Sequence, residues 1–318
     1  MGLPDLQAAL DFLEEGDNFL ITSHVDSDWD GLGSCIALKL LLEKIGKNSF
    51  VLVHNLPVEF HCFLDGAEHL LTVEEVGQAK VDYAIVLDCP SLERIGDVRR
   101  HMNEATRILN IDHHEDALAF GEVNLMSTEV SSACEFVYHL VVASGREIDA
   151  AMAAQLYVGI LFDTGGFRYS LATPTTFEVA AELVRRGARL DYIADQLFNN
   201  KSVASVKLIG KALDSLELHC NGKAAVLHLA HADLREGSAQ DIVNYGLMIR
   251  SVEVALLLRE VSPGNYRVSL RSRNQVDVGR IAVRLGGGGH VKASGCSLEG
   301  PRESALKVLL DEVGKALN

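Results

Sequence analysis

The chain has 318 residues, 48% of them hydrophobic and 23% charged, with no apolar run near the roughly 20 residues of a membrane helix and no basic, apolar leader. Its six scattered cysteines include no CxxC pair, which argues against a zinc–thiolate or disulfide framework and points to a reducing cytoplasm. The net charge of −15 is uneven: residues 1–200 carry 32 Asp+Glu against 13 Lys+Arg, and residues 201–318 carry 12 against 16, so neither part offers the long basic face that duplex nucleic acid needs.

Taken in order, residues 3–13 predict an amphipathic first helix, 19–22 a buried strand and 33–45 a helix. The turn between the last two carries His24, Asp26, Asp28 and Asp30 within seven residues. Ionised carboxylates this close repel one another, and burying one without a partner costs several kcal/mol. A divalent cation removes both problems; the plainer reading is an acidic surface turn with Asp30 capping the helix. A second strand, 49–53, ends in turn chemistry at His54, Asn55 and Pro57. The strand at 82–87 ends directly on Asp88, and the strand at 107–111 on Asp112, His113 and His114. Strands alternating with helices predict a doubly wound, mainly parallel α/β sheet whose carboxyl-end loops share one crevice. Helices follow at 131–143, at 149–162, which delivers Asp163, and at 175–186, stopped by Gly187. Residues 191–216 predict a linker helix between a first domain, 1–190, and a smaller α/β domain, 217–318. The latter carries strands at 224–229, 254–258 and 266–270, helices at 277–285 and 303–317, and the run Gly286-Gly287-Gly288-Gly289-His290.

His24, Asp28, Asp30, Asp88, Asp112, His113, His114 and Asp163 are too many ligands for one ion. Carboxylates with some imidazole suit Mn2+ or Mg2+ better than zinc, and two such ions sharing a carboxylate suit phosphate-ester hydrolysis. The four glycines leave backbone N–H groups uncovered for a phosphate, and Arg271, Arg273 and His290 add charge-assisted donors. Arg168 and Lys292 are lesser candidates.

The ordered set His24-x-x-x-Asp28-x-Asp30-x-x-Gly33-Ser34, then Asp88, then Asp112-His113-His114, then Asp163-Thr164-Gly165, resembles the DHH phosphoesterase superfamily. Arg271-Ser272-Arg273 and Gly287-Gly288-Gly289-His290-x-x-Ala293-Ser294-Gly295 resemble the DHH-associated domain of its subfamily one. The short two-domain layout is similar to the bacterial nanoRNase and 3′-phosphoadenosine 5′-phosphate phosphatase group. RecJ-type exonucleases usually carry further domains, and the pyrophosphatase branch lacks the glycine-rich His motif.

The resemblance implies that His24, Asp28 and Asp88 hold one cation and Asp30, Asp88, His113 and Asp163 the other. It implies that Asp112 orients a histidine, and that His114 contacts the scissile phosphate or helps the leaving oxygen depart. Arg271, Arg273, Gly287, Gly288, Gly289 and His290 would grip the terminal phosphate or nucleotide as the second domain closes over the cleft. The expected reaction is manganese-dependent cleavage of short oligoribonucleotides to nucleoside 5′-monophosphates, with release of phosphate from 3′-phosphoadenosine 5′-phosphate. The alternatives are a cyclic-dinucleotide phosphodiesterase and a non-catalytic nucleotide sensor. No membrane partner is expected, and the apolar helix at 131–143 suits either a homodimer face or ordinary core. Asp26 and Trp29 depart from the family pattern: Asp26 is an extra carboxylate, and Trp29 suits base stacking or packing against the first helix.

Overall fold

In the computed structural model, which describes residues 6–56, 66–77, 80–235, 239, 242–289 and 291–317, the early apolar runs become strands buried on both faces. Helix α1 (Gln7–Glu15) leads into β1 (Phe19–Thr22); β2 (Ser49–Val53), β3 (Leu70–Thr72), β4 (Tyr83–Leu87), β5 (Arg107–Asp112) and β6 (Val123–Met126) complete a parallel sheet in the order β3-β2-β1-β4-β5-β6. Side chains alternate across a strand. Phe19, Ile21, Ile85, Leu87, Leu109 and Ile111 therefore enter one core cluster, while Leu20, Leu52, Ala84, Val86 and Ile108 enter another. Two-sided burial is why these strands read as unbroken apolar runs. The first cluster is completed by α2 (Trp29–Lys44), α3 (Ala133–Ala143) and α4 (Ala150–Asp163); the second by Ile95 and Val98 of the 3-10 segment Leu92–His101. Strands β1 and β4 are neighbours in the sheet although β2 and β3 separate them in sequence. Such a reversal of strand order opens a crevice at the carboxyl ends.

Helices α5 (Pro174–Arg185) and α6 (Leu190–Phe198) belong to the same compact unit, which ends at Asn200. The second unit starts at Lys201 with α7 (Val203–Asp214). The single linker helix expected over 191–216 is thus two helices, because Ser202 caps α7 by accepting the Ser205 N–H at 3.0 Å and so starts a new one. Strands β7 (Glu217–His219), β8 (Ala224–Leu229), β9 (Val254–Ser262), β10 (Asn265–Ser272), β11 (Gly288–Gly289) and β12 (Ala293–Glu299) form a sheet in the order β11-β12-β10-β9-β8-β7. Its pairs are antiparallel except β8 with β9. Helices α9 (Val278–Arg284) and α10 (Arg302–Leu317) pack on one face, through Ile281, Leu309 and Val313 against Val268 and Leu270. On the other face Leu208 and Ala212 of α7, with Val243 just before the short α8 (Asn244–Leu247), cover Leu227 and Leu257.

Three further differences from the sequence expectations have local causes. Helix α2 starts at Trp29, not at 33, and its cap is Asp28 rather than Asp30: the Asp28 carboxylate accepts the N–H groups of Asp30 at 3.0 Å and Gly31 at 3.3 Å. Strands β3 and β6 were not read from the sequence; both are short edge strands, and β6 carries the polar Asn124 within its four residues. Trp29 is 9% exposed and packs in the first core cluster rather than standing free for a base. Residues 1–5, Pro57, Cys62 and His290 lie outside the described residues.

Candidate active site

Each functional side chain sits where an element ends. His24, Asp28 and Asp30 lie between β1 and the first turn of α2; Asp88 follows β4; Asp112 ends β5, with His113 and His114 next; Asp163 is the last residue of α4. Strands β1, β4 and β5 are adjacent, so three of these segments leave the same sheet edge at the reversal of strand order.

The structure gathers them. His24 Nε2 lies 3.5 Å from Asp88 Oδ2; His113 Nε2 lies 3.5 Å from Asp88 Oδ1, 3.0 Å from Asp163 Oδ2 and 3.8 Å from Asp30 Oδ2. Ligand atoms of His24, Asp28 and Asp88, of Asp30, His113 and Asp163, and of Asp88, His113 and His114 form three groups, each within 4.8 Å. Asp88 thus turns one carboxylate oxygen to each side of the cluster. It does so from a left-handed backbone conformation, φ +51°, that aspartate tolerates better than most residues.

Surrounding bonds fix these groups. The His24 Nδ1–H donates to the Val25 carbonyl at 2.8 Å, which orients the ring with Nε2 facing Asp88. Asp30 is fully buried, and both of its oxygens face the start of α3: Ala133 N–H donates to Oδ2 at 2.7 Å and Cys134 N–H to Oδ1 at 2.9 Å. A helix amino terminus is a ready seat for a carboxylate. Asp112 Oδ1 accepts the backbone N–H of His114 at 2.8 Å and lies 2.7 Å from His114 Nδ1, so the histidine that Asp112 orients is His114. Gly159 of α4, which the sequence reading passed over, makes room for Asp30. A Cβ there would lie 2.6 Å from Asp30 Oδ1 and 2.3 Å from Cys134 Sγ. The signal was a lone glycine inside an otherwise apolar helix.

Asp26 stands apart. Its backbone φ of +56° turns it away as an exposed residue, and its carboxylate accepts from Asn55 Nδ2 at 2.7 Å. It staples the loop and does not join the cluster.

The electrostatics expose the strain of so many acids together. Burial first, then Asp88 and Asp163, push Asp28 up to about 7; burial, Asp163 and Asp88 push Asp30 well above the carboxylate range. Asp88 goes the other way: burial opposes its charge, but the imidazoles of His113 and His24, each 3.5 Å away, hold it well below the usual value. Burial likewise opposes charge on the imidazoles, yet Asp88 and Asp28 lift His24 to about 9, Asp163 and Asp88 lift His113 well above normal, and Asp112 and Asp88 raise His114. Among the described residues, every ion pair made by these carboxylates is to a histidine, never to Lys or Arg. A buried, hard-oxygen donor set with few imidazoles and no balancing lysine or arginine fits divalent cations of the Mn2+ or Mg2+ kind.

In the second unit, Arg271 lies on β10 and Arg273 just beyond it, and Gly288 and Gly289 pair with Gly295 and Ser294 of β12. The glycine run serves packing more than the sequence suggests: a Cβ at Gly287 would sit 2.1 Å from the Gly295 carbonyl, whereas one at Gly288 would meet open space. Lys292 is tied to the carbonyls of Asn274 and Val276, the latter at 3.2 Å, and Arg168 Nε donates to the Gly165 carbonyl. Both are structural bonds.

Comparison with known proteins gives the same division of the chain. The DHH family, N-terminal domain model matches residues 18–160 and the DHHA1 domain model residues 221–318. The bifunctional oligoribonuclease and PAP phosphatase NrnA of Thermus thermophilus is 30% identical over 302 residues, covering 93% of this chain and 90% of that protein. The Bacillus subtilis protein of the same name is 27% identical over 291 residues, covering 89% and 90%. An exopolyphosphatase-related protein from Bacteroides fragilis, of known structure, superimposes with a TM-score of 0.88 at 27% identity, over 98% of this chain and 95% of that one. The chain belongs to the DHH family of phosphoesterases, with a DHH domain followed by a DHHA1 domain.

Proposed function

We propose that the protein hydrolyses short oligoribonucleotides to nucleoside 5′-monophosphates and removes the 3′-phosphate of 3′-phosphoadenosine 5′-phosphate; its NrnA relatives are named as bifunctional oligoribonucleases and PAP phosphatases. The observation that carries this reading is the carboxylate of Asp88, with one oxygen facing His24 and the other facing His113. On this reading His24, Asp28 and Asp88 hold one divalent cation, and Asp30, Asp88, His113 and Asp163 a second. Bound Mn2+ or Mg2+ supplies Lewis acidity to the phosphoryl oxygens and to water.

The rest falls to the chain's own side chains. Both substrates lose the same bond, between phosphorus and a 3′ oxygen: water adds to phosphorus, and the departing oxygen takes up a proton. His114 is placed to donate that proton. Asp112 holds its Nδ1, which leaves Nε2 for the substrate, and the raised basicity of the ring keeps it protonated nearer neutral pH. Arg271, Arg273 and the open backbone at Gly288 take the nucleotide's phosphate, with His290 as a further donor on the family pattern. The five described cysteines are free, which fits a reducing cytoplasm, and among the described residues no helix is long and apolar enough to cross a membrane.

The test is a manganese-supplemented assay of a two- to five-nucleotide RNA ladder, a long strand, 3′-phosphoadenosine 5′-phosphate and cyclic dinucleotides. Expected are turnover of the shortest strands and of the bisphosphate, a loss of at least about 10³ in kcat/KM for Asp88→Asn, and at most about threefold for Asp26→Asn. Faster degradation of the long strand, or opening of cyclic dinucleotides alone, would overturn the assignment.

A further inference from the structure

Within the group His24, Asp28 and Asp88, two members are placed by regular structure: Asp28 caps α2 and Asp88 follows β4 directly. His24 stands in the loop of residues 23–28 between β1 and α2. Its bond to the Val25 carbonyl lies inside that loop, so it fixes the ring but not the loop. The loop is held from outside. Val25 N–H donates to the Arg94 carbonyl at 2.7 Å. Asp26 N–H donates to Asn55 Oδ1 at 3.1 Å, and Asn55 Nδ2 donates back to Asp26 Oδ1 at 2.7 Å. Asn55 is within reach because β1 and β2 are parallel neighbours, with Ile21 opposite Val51. The chain past Val53 therefore leaves the sheet beside the loop that follows β1.

This reciprocal pair needs both ends of an amide. The oxygen takes a backbone N–H while the nitrogen gives to a carboxylate. A carboxylate in place of Asn55 would face that of Asp26, and an apolar side chain would make neither bond. The pair also holds Asp26 at φ +56°, a left-handed conformation that a residue with a Cβ keeps only where its surroundings enforce it. A second asparagine–aspartate pair joins the opposite ends of the same two strands: Asp17 Oδ1 accepts the Asn48 N–H at 2.8 Å, and Oδ2 accepts from Nδ2 at 3.2 Å. It shares the chemistry of the first pair but lies at the far end from the cluster.

We propose that Asn55, acting through Asp26, is a positioning residue for His24: the pair presets the loop so that Nε2 faces Asp88 before a cation binds. This rests on the cation reading above.

The experiment is calorimetric titration of the full chain with Mn2+ alone. Asn55→Ala weakens the affinity about tenfold, the low end of what residues supporting metal ligands contribute. Asn55→Asp weakens it at least as much. Asp26→Asn alone costs little, since an amide oxygen still accepts from Asn55. Combining Asp26→Asn with Asn55→Asp swaps the partners and re-forms both bonds, so affinity returns to within about threefold of the wild type. Asn48→Ala, which removes the other pair, leaves it unchanged. The Asn55 bonds are solvent-facing, so the variants are expected to fold, as an unchanged urea midpoint would show. A folded Asn55→Ala of wild-type affinity overturns the assignment, and so does a swap that fails to restore binding. Equal weakening in Asn48→Ala also overturns it, since that marks a general loss of sheet stability. If the wild type binds no Mn2+, the cation reading fails, and amide hydrogen exchange at Val25 in the full chain decides the positioning alone. Exchange about tenfold faster in Asn55→Ala and slowed again by the swap supports it, and equal exchange overturns it.

Discussion

Asp30 shows how much of this site depends on single atoms. A fully buried carboxylate is tolerable because two N–H groups at the start of α3 meet its two oxygens, and because α4 presents Gly159 where any side chain would intrude. Gly159→Ala is therefore expected to cost about 1–3 kcal/mol in urea unfolding, the usual range for overpacking, and to weaken divalent-cation affinity measured by titration. Adding Cys134→Ala removes the clash at 2.3 Å with Sγ and should restore stability. It leaves the 2.6 Å approach to Asp30 Oδ1, so affinity should stay low. Wild-type affinity in Gly159→Ala would show that Asp30 does not need its present position. The acids and imidazoles themselves were legible in the sequence, since no packed core accommodates them without a cation. The difference between Asp26 and Asp28 was not legible: a left-handed φ at Asp26 sends one outward to Asn55, while the cap geometry of α2 keeps the other with the cluster.

Elements hold the site through their ends. The amino terminus of α3 that seats Asp30 is itself fixed by a capping pair: Ser132 Oγ accepts the Glu135 N–H at 3.1 Å, and Glu135 Oε2 accepts from Ser131 N–H at 3.1 Å and from Thr176 Oγ1 on α5 at 3.0 Å. Glu135 is 1% exposed. Burial opposes its charge, but His139 at 3.8 Å and hydrogen bonds from Ser131 and Thr176 hold its carboxyl below the ordinary value. A depressed folded-state pKa contributes stability above the unfolded value and loses it as pH falls through the folded one. The urea midpoint of the wild type should accordingly fall on acidification below about pH 4.5, and that of Glu135→Gln should fall less over the same window. Parallel curves would mean that Glu135 carries no charge-linked stability. Neither this bridge nor the true start of α2 could be read from periodicity: the bridge needs the hydrogen bond from Thr176 to Glu135, distant in sequence, and the start of α2 depends on which of two nearby aspartates turns back to cap it.

At the scale of the molecule, the parallel sheet was legible because its strands bury both faces and so form continuous apolar runs. The second sheet was less so: β9 and β10 run longer than their apolar stretches, ending in Arg259–Ser262 and in Arg271 and Ser272, whose pairing only the fold supplies. Each unit has its own apolar clusters, and the acidic excess lies in the first, with the cluster of carboxylates and imidazoles. Cations that bind the folded first unit and not the unfolded chain stabilise that unit by mass action, about 2.7 kcal/mol at a hundredfold excess over Kd. For a unit of this size that moves Tm by about 5–10 °C. Calorimetry of the full chain in Mn2+ and then in a chelator should therefore show two transitions, of which one shifts down by that amount in the chelator while the other stays, and Asp88→Asn should lose that shift. A single transition, or two that shift together, would mean that the cation site stabilises the whole chain and that the separate cores do not unfold separately.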